Sequence, residues 1–179
     1  PGRIGYAPPV TLISPEALAE RLGDPRLRLV DARWYLGRPG DGLRAYEAGH
    51  LPGAIHLDLD SDLCAADGPG RHPLPSPAEF AARMGRVGIG DEQAVVAYDD
   101  AGGWVAARLW WMLDKLGHRD VSVLDGGLGV WRAAERPLSI EVPTYPPSTL
   151  TPRGPAADGT WPGTISRDEL RGRLGSLLL

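Results

Sequence analysis

The sequence predicts an α/β domain with a mostly parallel central sheet and helices on both of its faces. Three observations lead there. Short apolar runs of strand length alternate with stretches of helical periodicity, the order that lays successive strands side by side and parallel. The helical stretches open on Ser-Pro or Ser-x-x-Glu, both helix-start signals. After Arg136 the texture changes to proline-dense sequence without a period, which closes the domain.

In chain order, Ser14-Pro15-Glu16 opens a helix: Ser caps, Pro takes the first helical position, and Glu complements the dipole. Leu18 and Leu22, four apart, supply its buried stripe. LRLVDA (27–32) reads as a buried strand, GLRAYEAGH as a short helix, and AIHLDL (54–59) as a second strand with alternating apolar positions. DSDLCAADGPGRHPLP is loop by its Gly and Pro content. Ser76-Pro77-Ala78-Glu79 is a capping box, starting a helix that runs to about Arg86. AVVAYD (94–99) is the third strand, and Trp104–Leu116 the longest helix, with Gly117 as its stop. VSVLDGG (121–127) is a fourth strand and turn, followed by a helix around Leu128–Ala134. On the long helix Val105, Leu109, Met112, Leu113 and Leu116 share one face. Trp111 points almost opposite and Trp110 to the flank, so something outside the sheet, a linker or a second domain, is expected to cover these indoles.

The domain therefore spans 10–136. PLSIEVPTYPPSTLTPRGPAADGTWPG supplies an extended linker over 137–160. Ile165-Ser166-Arg167-Asp168-Glu169-Leu170 then repeats a capping box, opening a short apolar-striped helix that ends in LGSLLL. That restates the texture of LISPEALAERL near the N-terminus, so 161–179 reads as an internal repeat that begins and is cut off.

Composition bounds the class. With 179 residues, 42% hydrophobic and 23% charged, the chain can bury one full core as an ordinary globular protein. A net charge of −4 gives no basic face for nucleic acid. No apolar run reaches the roughly 20 residues that cross a membrane, and the first residues lack the regions of a signal peptide. One cysteine excludes an internal disulfide and points to a reducing cytoplasm. Lys115 is the only lysine among 19 basic residues, which with 24 Gly and 18 Pro suggests a GC-rich, bacterial genome.

Few residues are candidates for chemistry. Cys64 lies in a loop, with neither a helix start nor a strand end to lower its pKa, and is expected to be inert. His50, His56, His72 and His118 show no metal-ligand spacing and are expected in cap, turn or surface roles. Phosphate-binding glycine loops and the G-x-S-x-G elbow are absent, so neither a metal nor a cofactor is expected. Asp99 and Asp100 remain, in AVVAYDDAGGWVAARLWW, between a strand and the long helix. Neighbouring side chains on extended backbone point apart, against a shared metal ion. A carboxylate there would satisfy the unpaired N–H groups of the loop and helix start. An aspartyl-nucleophile or metal-dependent hydrolase at this pair is the least favoured reading.

LVDARWYL (29–36), YEAGHLPGAIHLDLD (46–60), VVAYDDAGGWVAARLWWMLDKLGH (95–118) and VSVLDGGLGVW (121–131) resemble, in order and spacing, the rhodanese-type sulfurtransferases. The likeness covers roughly Val10 to Arg136. More narrowly, the paired tryptophans and the proline-rich exit resemble the N-terminal half of the tandem-domain thiosulfate sulfurtransferases. The resemblance implies a rhodanese-like fold whose catalytic cysteine position, after Tyr98, is held by Asp99. In an active domain a cysteine thiolate takes the outer sulfur of thiosulfate as a persulfide and passes it to cyanide or another thiophile, in an anion cradle of backbone N–H groups. An aspartate fills that cradle but forms no persulfide.

The expectation is therefore a catalytically silent N-terminal rhodanese domain, partnered by a C-terminal domain that handles a small sulfur substrate, thiosulfate or 3-mercaptopyruvate. Trp34 and Tyr35, with Trp110 and Trp111, are candidates for the interdomain cleft. The alternative is a stand-alone, cysteine-less rhodanese-like binding or regulatory module.

Overall fold

The computed structural model describes residues 12–68 and 70–174. The elements run β1 (Leu12–Ile13), α1 (Pro15–Arg21), β2 (Leu27–Asp31), α2 (Asp41–Ala48), β3 (Ala54–His56), α3 (Pro77–Arg86), β4 (Ala94–Tyr98), α4 (Trp104–Lys115), β5 (Val121–Leu124), α5 (Gly127–Ala133) and α6 (Arg167–Arg173), with a short 3₁₀ turn at Gly154–Asp158 before α6. The sheet has five strands in the order β1-β5-β4-β2-β3, and every pairing is parallel. The expected helices follow their start signals. Ser76 and Glu79 form both halves of the capping box, and α3 begins at the next residue. Ser14 accepts from the Ala17 N–H at 3.2 Å.

Two boundaries differ from the sequence reading. β1 is an additional strand, two residues long and therefore without a readable period, which pairs Leu12 and Ile13 with Val123 and Leu124. β3 stops at His56 rather than running to Leu59, because Asp58 turns the chain: its carboxylate caps the Asp60 and Ser61 N–H groups at 2.9 and 3.1 Å. The residues after Leu174, which include most of the expected LGSLLL ending, lie outside the described residues.

Side chains alternate between two cores, one on each face of the sheet. Val30, Ile55, Val95, Ala97, Val121 and Val123 point into a core closed by Phe80 and Met84 of α3 and by Val105, Leu109, Met112 and Leu113 of α4. Leu27, Leu29, Ala54, Val96, Tyr98 and Leu124 point the other way, against Leu18 of α1 and Leu128 and Trp131 of α5.

The proline-rich stretch is extended, as its composition implies, yet it is a strap bound to the domain rather than a free linker. Proline removes its internal hydrogen bonds, and its remaining backbone groups pair with the fold. Ser139 exchanges both backbone bonds with His50, Ser148 donates to the Gly85 carbonyl, Thr149 accepts from Asp91, and Arg153 donates to the Leu116 carbonyl. Leu150, Ala156 and Trp161 enter the first core. Trp161 donates to the Pro75 carbonyl at 2.7 Å and packs against Phe80 and Trp111. The strap thus covers Trp111, while Trp110 lies in the core at 6% exposure. Helix α6 has no buried residue. Among the described residues no helix is long and apolar enough to cross a membrane.

Candidate functional site

β4 ends at Tyr98, and the chain turns through residues 99–103 into α4. Gly103 adopts φ +88°, a left-handed conformation that glycine reaches without strain, and this aims successive N–H groups inward. The Asp99 carboxylate fills the resulting cradle at 1% exposure. One oxygen accepts from the N–H groups of Ala101 and Gly103 at 2.9 and 2.7 Å, the other from Val105 and Ala106 at 3.0 and 3.1 Å. The last two donors belong to the first turn of α4, whose positive end favours the negative charge. From the opposite side α5 locks the Asp99 backbone: Leu128 donates to its carbonyl at 2.9 Å. A Cβ on Gly127 would lie 2.4 Å from that same oxygen. The capping role read for Asp99 is what the structure shows. Both of its oxygens are buried and each accepts two backbone N–H groups.

Asp100, by contrast, is exposed and turned away from the cradle. It accepts from the Tyr35 hydroxyl at 2.6 Å. Burial, reinforced by this bond to a carboxylate, pushes the Tyr35 phenol up to about 12. Trp34, next to it after β2, donates to Asp60 at 2.7 Å. His72 stands 3.3 Å from the other Asp60 oxygen and meets the Trp34 ring edge-on, as does Trp104, which is 49% exposed. Trp34, Tyr35, Arg38, Asp60, Arg71 and His72 line a shallow pocket of about 270 Å³. Its lining residues follow the carboxyl ends of β2 and β3, the end of the strands where open α/β sheets present ligands. Trp34 and Tyr35 thus share one pocket, and Tyr35 is tied to the residue after Asp99. Trp110 and Trp111 do not join them.

The sequence reading missed Asp60, His72 and Trp104 in this cluster. Their partners lie far off in sequence, and the available signal was only that an aspartate and a histidine flank one loop.

The DAR triplet is structural. Asp31 and Arg33 form a buried ion pair, reached by the Tyr98 hydroxyl at 2.8 Å and extended by Arg33 to the Gly49 carbonyl at 2.9 Å. Burial and the Asp31 charge push the Tyr98 phenol far up. Two of the histidines expected in cap, turn or surface roles are buried, each just beyond the end of a helix. His50 is fully buried, its ring nitrogens 2.8 and 3.0 Å from the Tyr46 and Glu141 carbonyls. His118 is buried, with its Nδ1 unpartnered and its charged form disfavoured by burial. Cys64 is 3% exposed, and burial pushes its thiol up against the opposing pull of Arg108. Among the described residues no group of three or more His, Cys, Asp or Glu is placed to hold a metal ion.

Residues 14–134 match the Rhodanese-like domain family. The chain belongs to that family. A Pseudomonas aeruginosa protein described as a "Probable 3-mercaptopyruvate sulfurtransferase" is 46% identical over 127 residues, which are 69% of this chain and 45% of the relative. The thiosulfate sulfurtransferase of Corynebacterium glutamicum is 38% identical over 141 residues, 79% of this chain and 44% of the relative. The structure of the 3-mercaptopyruvate sulfurtransferase from Leishmania major superposes with a TM-score of 0.78 at 31% identity, covering 92% of this chain and 45% of that one. The rhodanese-like chain thus spans less than half the length of these sulfurtransferases.

Proposed function

We propose that this chain is the non-catalytic rhodanese half of a sulfurtransferase. A C-terminal rhodanese domain would carry the reaction, its cysteine taking a sulfur atom from thiosulfate with release of sulfite, or from 3-mercaptopyruvate with release of pyruvate, and passing it from the persulfide to cyanide or another thiophile. The observation that carries this reading is the Asp99 cradle. Four N–H donors converge where the family resemblance puts the sulfur-bearing residue, and a carboxylate already occupies them. A carboxylate oxygen has no sulfur to hand on, and a buried, fully bonded one cannot attack. Cys64 is a poor substitute for the missing thiolate, since its thiol is buried and burial pushes its pKa up.

Two further features support a tandem arrangement. The relatives are about twice as long as their match to this chain. Helix α6 is capped by Ser166 yet buries nothing, as expected of an element whose core lies elsewhere. In this reading the pocket of Trp34, Tyr35, Asp60 and His72 faces the catalytic domain and forms one wall of the cleft.

The reading frame beyond Leu179 tests it. A second DAR, GH-x-PGA and Tyr-Cys series, with sulfur transfer by the extended protein abolished on replacing that cysteine but not by Asp99→Ala, supports the proposal. A stop codon directly after Leu179 overturns it and leaves the stand-alone module.

A further inference from the structure

The loop between β3 and α3 carries Asp60 and His72, and among its described residues it has no strand or helix of its own to satisfy its backbone carbonyls. One backbone bond joins its arms, from the Ala65 N–H to the Pro73 carbonyl at 2.9 Å, and two arginines from α3 and α4 satisfy further carbonyls. Arg83 of α3 donates to the carbonyls of Ser61, Asp62 and Cys64 at 3.2, 3.3 and 2.6 Å, all on the outgoing arm. Arg108 of α4 reaches both arms. Its Nε and Nη2 donate to the Leu63 carbonyl at 3.2 and 3.0 Å, and Nη2 also approaches the His72 and Pro73 carbonyls at 3.1 and 3.4 Å. The helix holding this guanidinium is the one whose first turn binds Asp99.

The contacts have a directional consequence. The His72 carbonyl is fixed by Arg108, the His72 ring lies edge-on to Trp34, and both meet the Asp60 carboxylate. A part-buried loop carbonyl that loses its donor is free to turn toward water, and here the residue that would move bears the His72 ring. A planar fork with several fixed donors can serve both arms at once, which a lysine ammonium on a flexible stem cannot.

We infer that Arg108 is a positioning residue: by clamping both arms of the 57–76 loop onto α4, it sets the Trp34–Asp60–His72 cluster in the geometry presented at the proposed cleft. The inference deepens the cleft reading and rests on it for its functional meaning. Its geometric content is independent of any sulfur transfer, so the two can fail separately.

The test uses the chain with its indole N–H resonances assigned by single Trp→Phe replacements. Arg108→Met is expected to move the Trp34 indole resonance and to speed its hydrogen exchange roughly three- to tenfold, the loss of about one hydrogen bond. The Trp131 indole, which donates to the Pro137 carbonyl within the opposite core, is expected to stay in place. Arg108→Lys is expected to fall between wild type and Arg108→Met. An unmoved Trp34 resonance in Arg108→Met overturns the inference. So does a collapse of all the indole resonances together in both variants, which would make Arg108 a general fold residue. If Arg108→Met alone fails to fold, Arg108→Lys decides: a shift confined to Trp34 supports positioning, and no shift or a shared one overturns it.

Discussion

Removing the Asp99 carboxylate should cost far more than an ordinary helix cap. Asp99→Ala takes away the acceptor for four N–H groups, of which those of Val105 and Ala106 are buried and those of Ala101 and Gly103 reach solvent more readily. A buried donor left unpaired costs about 1–3 kcal/mol, so the two inner donors set an upper range of about 2–6 kcal/mol. Water entering the vacated space and rehydrating the outer donors brings the expected loss to about 2–4 kcal/mol, against about 1 kcal/mol for a typical exposed cap. Asp99→Asn separates shape from chemistry. Its carbonyl oxygen keeps one pair of N–H partners, but its amide turns donors toward the other pair, for an expected loss of about 2 kcal/mol or more. The assay is urea unfolding, reading the midpoint with the slope unchanged. If both variants unfold within about 0.5 kcal/mol of wild type, the cradle is not held by its carboxylate and the reasoning fails.

Other expectations follow from the same structure. Trp161→Ala should cost about 3–5 kcal/mol and release the strap, read as new protease cuts within 137–160 while the sheet core stays protected; unchanged cutting would contradict the docked strap. Alkali should destabilise the chain through its buried phenols, Tyr46 and Tyr98, and the half-buried Tyr35. Tyr35 and Tyr46 are pushed up to about 12 and Tyr98 further still, so their folded pKa values exceed the unfolded value near 10. The stability they contribute is complete below pH 10 and is lost as pH rises from about 10 through 12, because the unfolded chain gives up protons first. Phenolate absorbance of the native chain that completes a normal titration near pH 10 for all its tyrosines would refute this. Cys64 should react with a thiol reagent only at the rate of opening, speeding up in mild denaturant; rapid labelling of the native chain would contradict its burial.

Local chemistry explains what was legible beforehand. α3 could be placed to the residue because Ser76, Pro77 and Glu79 each act within one turn. The buried face of α4 could be listed because its period is carried by five apolar side chains, all fully buried. Asp99 was readable as an anion in a helix mouth because strand, glycine pair and helix are contiguous. What escaped depends on long-range pairing. β1 is too short to carry a pattern, and its partner lies more than a hundred residues away. Tyr35 reaches Asp100, and Trp34 reaches Asp60, across chain separations that no local rule spans. The proline-rich segment has the composition of a linker, and only the positions of its partners reveal a strap. Trp111 invited a cover, and the structure supplies it as Trp161 from the same chain.

The central claim is that a carboxylate stands in this chain where a sulfur-carrying thiolate would have to be. Incubating the purified chain with thiosulfate or 3-mercaptopyruvate, then measuring its intact mass and the thiocyanate released on adding cyanide, tests that directly. The expected result is no sulfur bound to the protein and no more thiocyanate than an Asp99→Ala control. Turnover above that control, or a persulfide on the native chain, would contradict it.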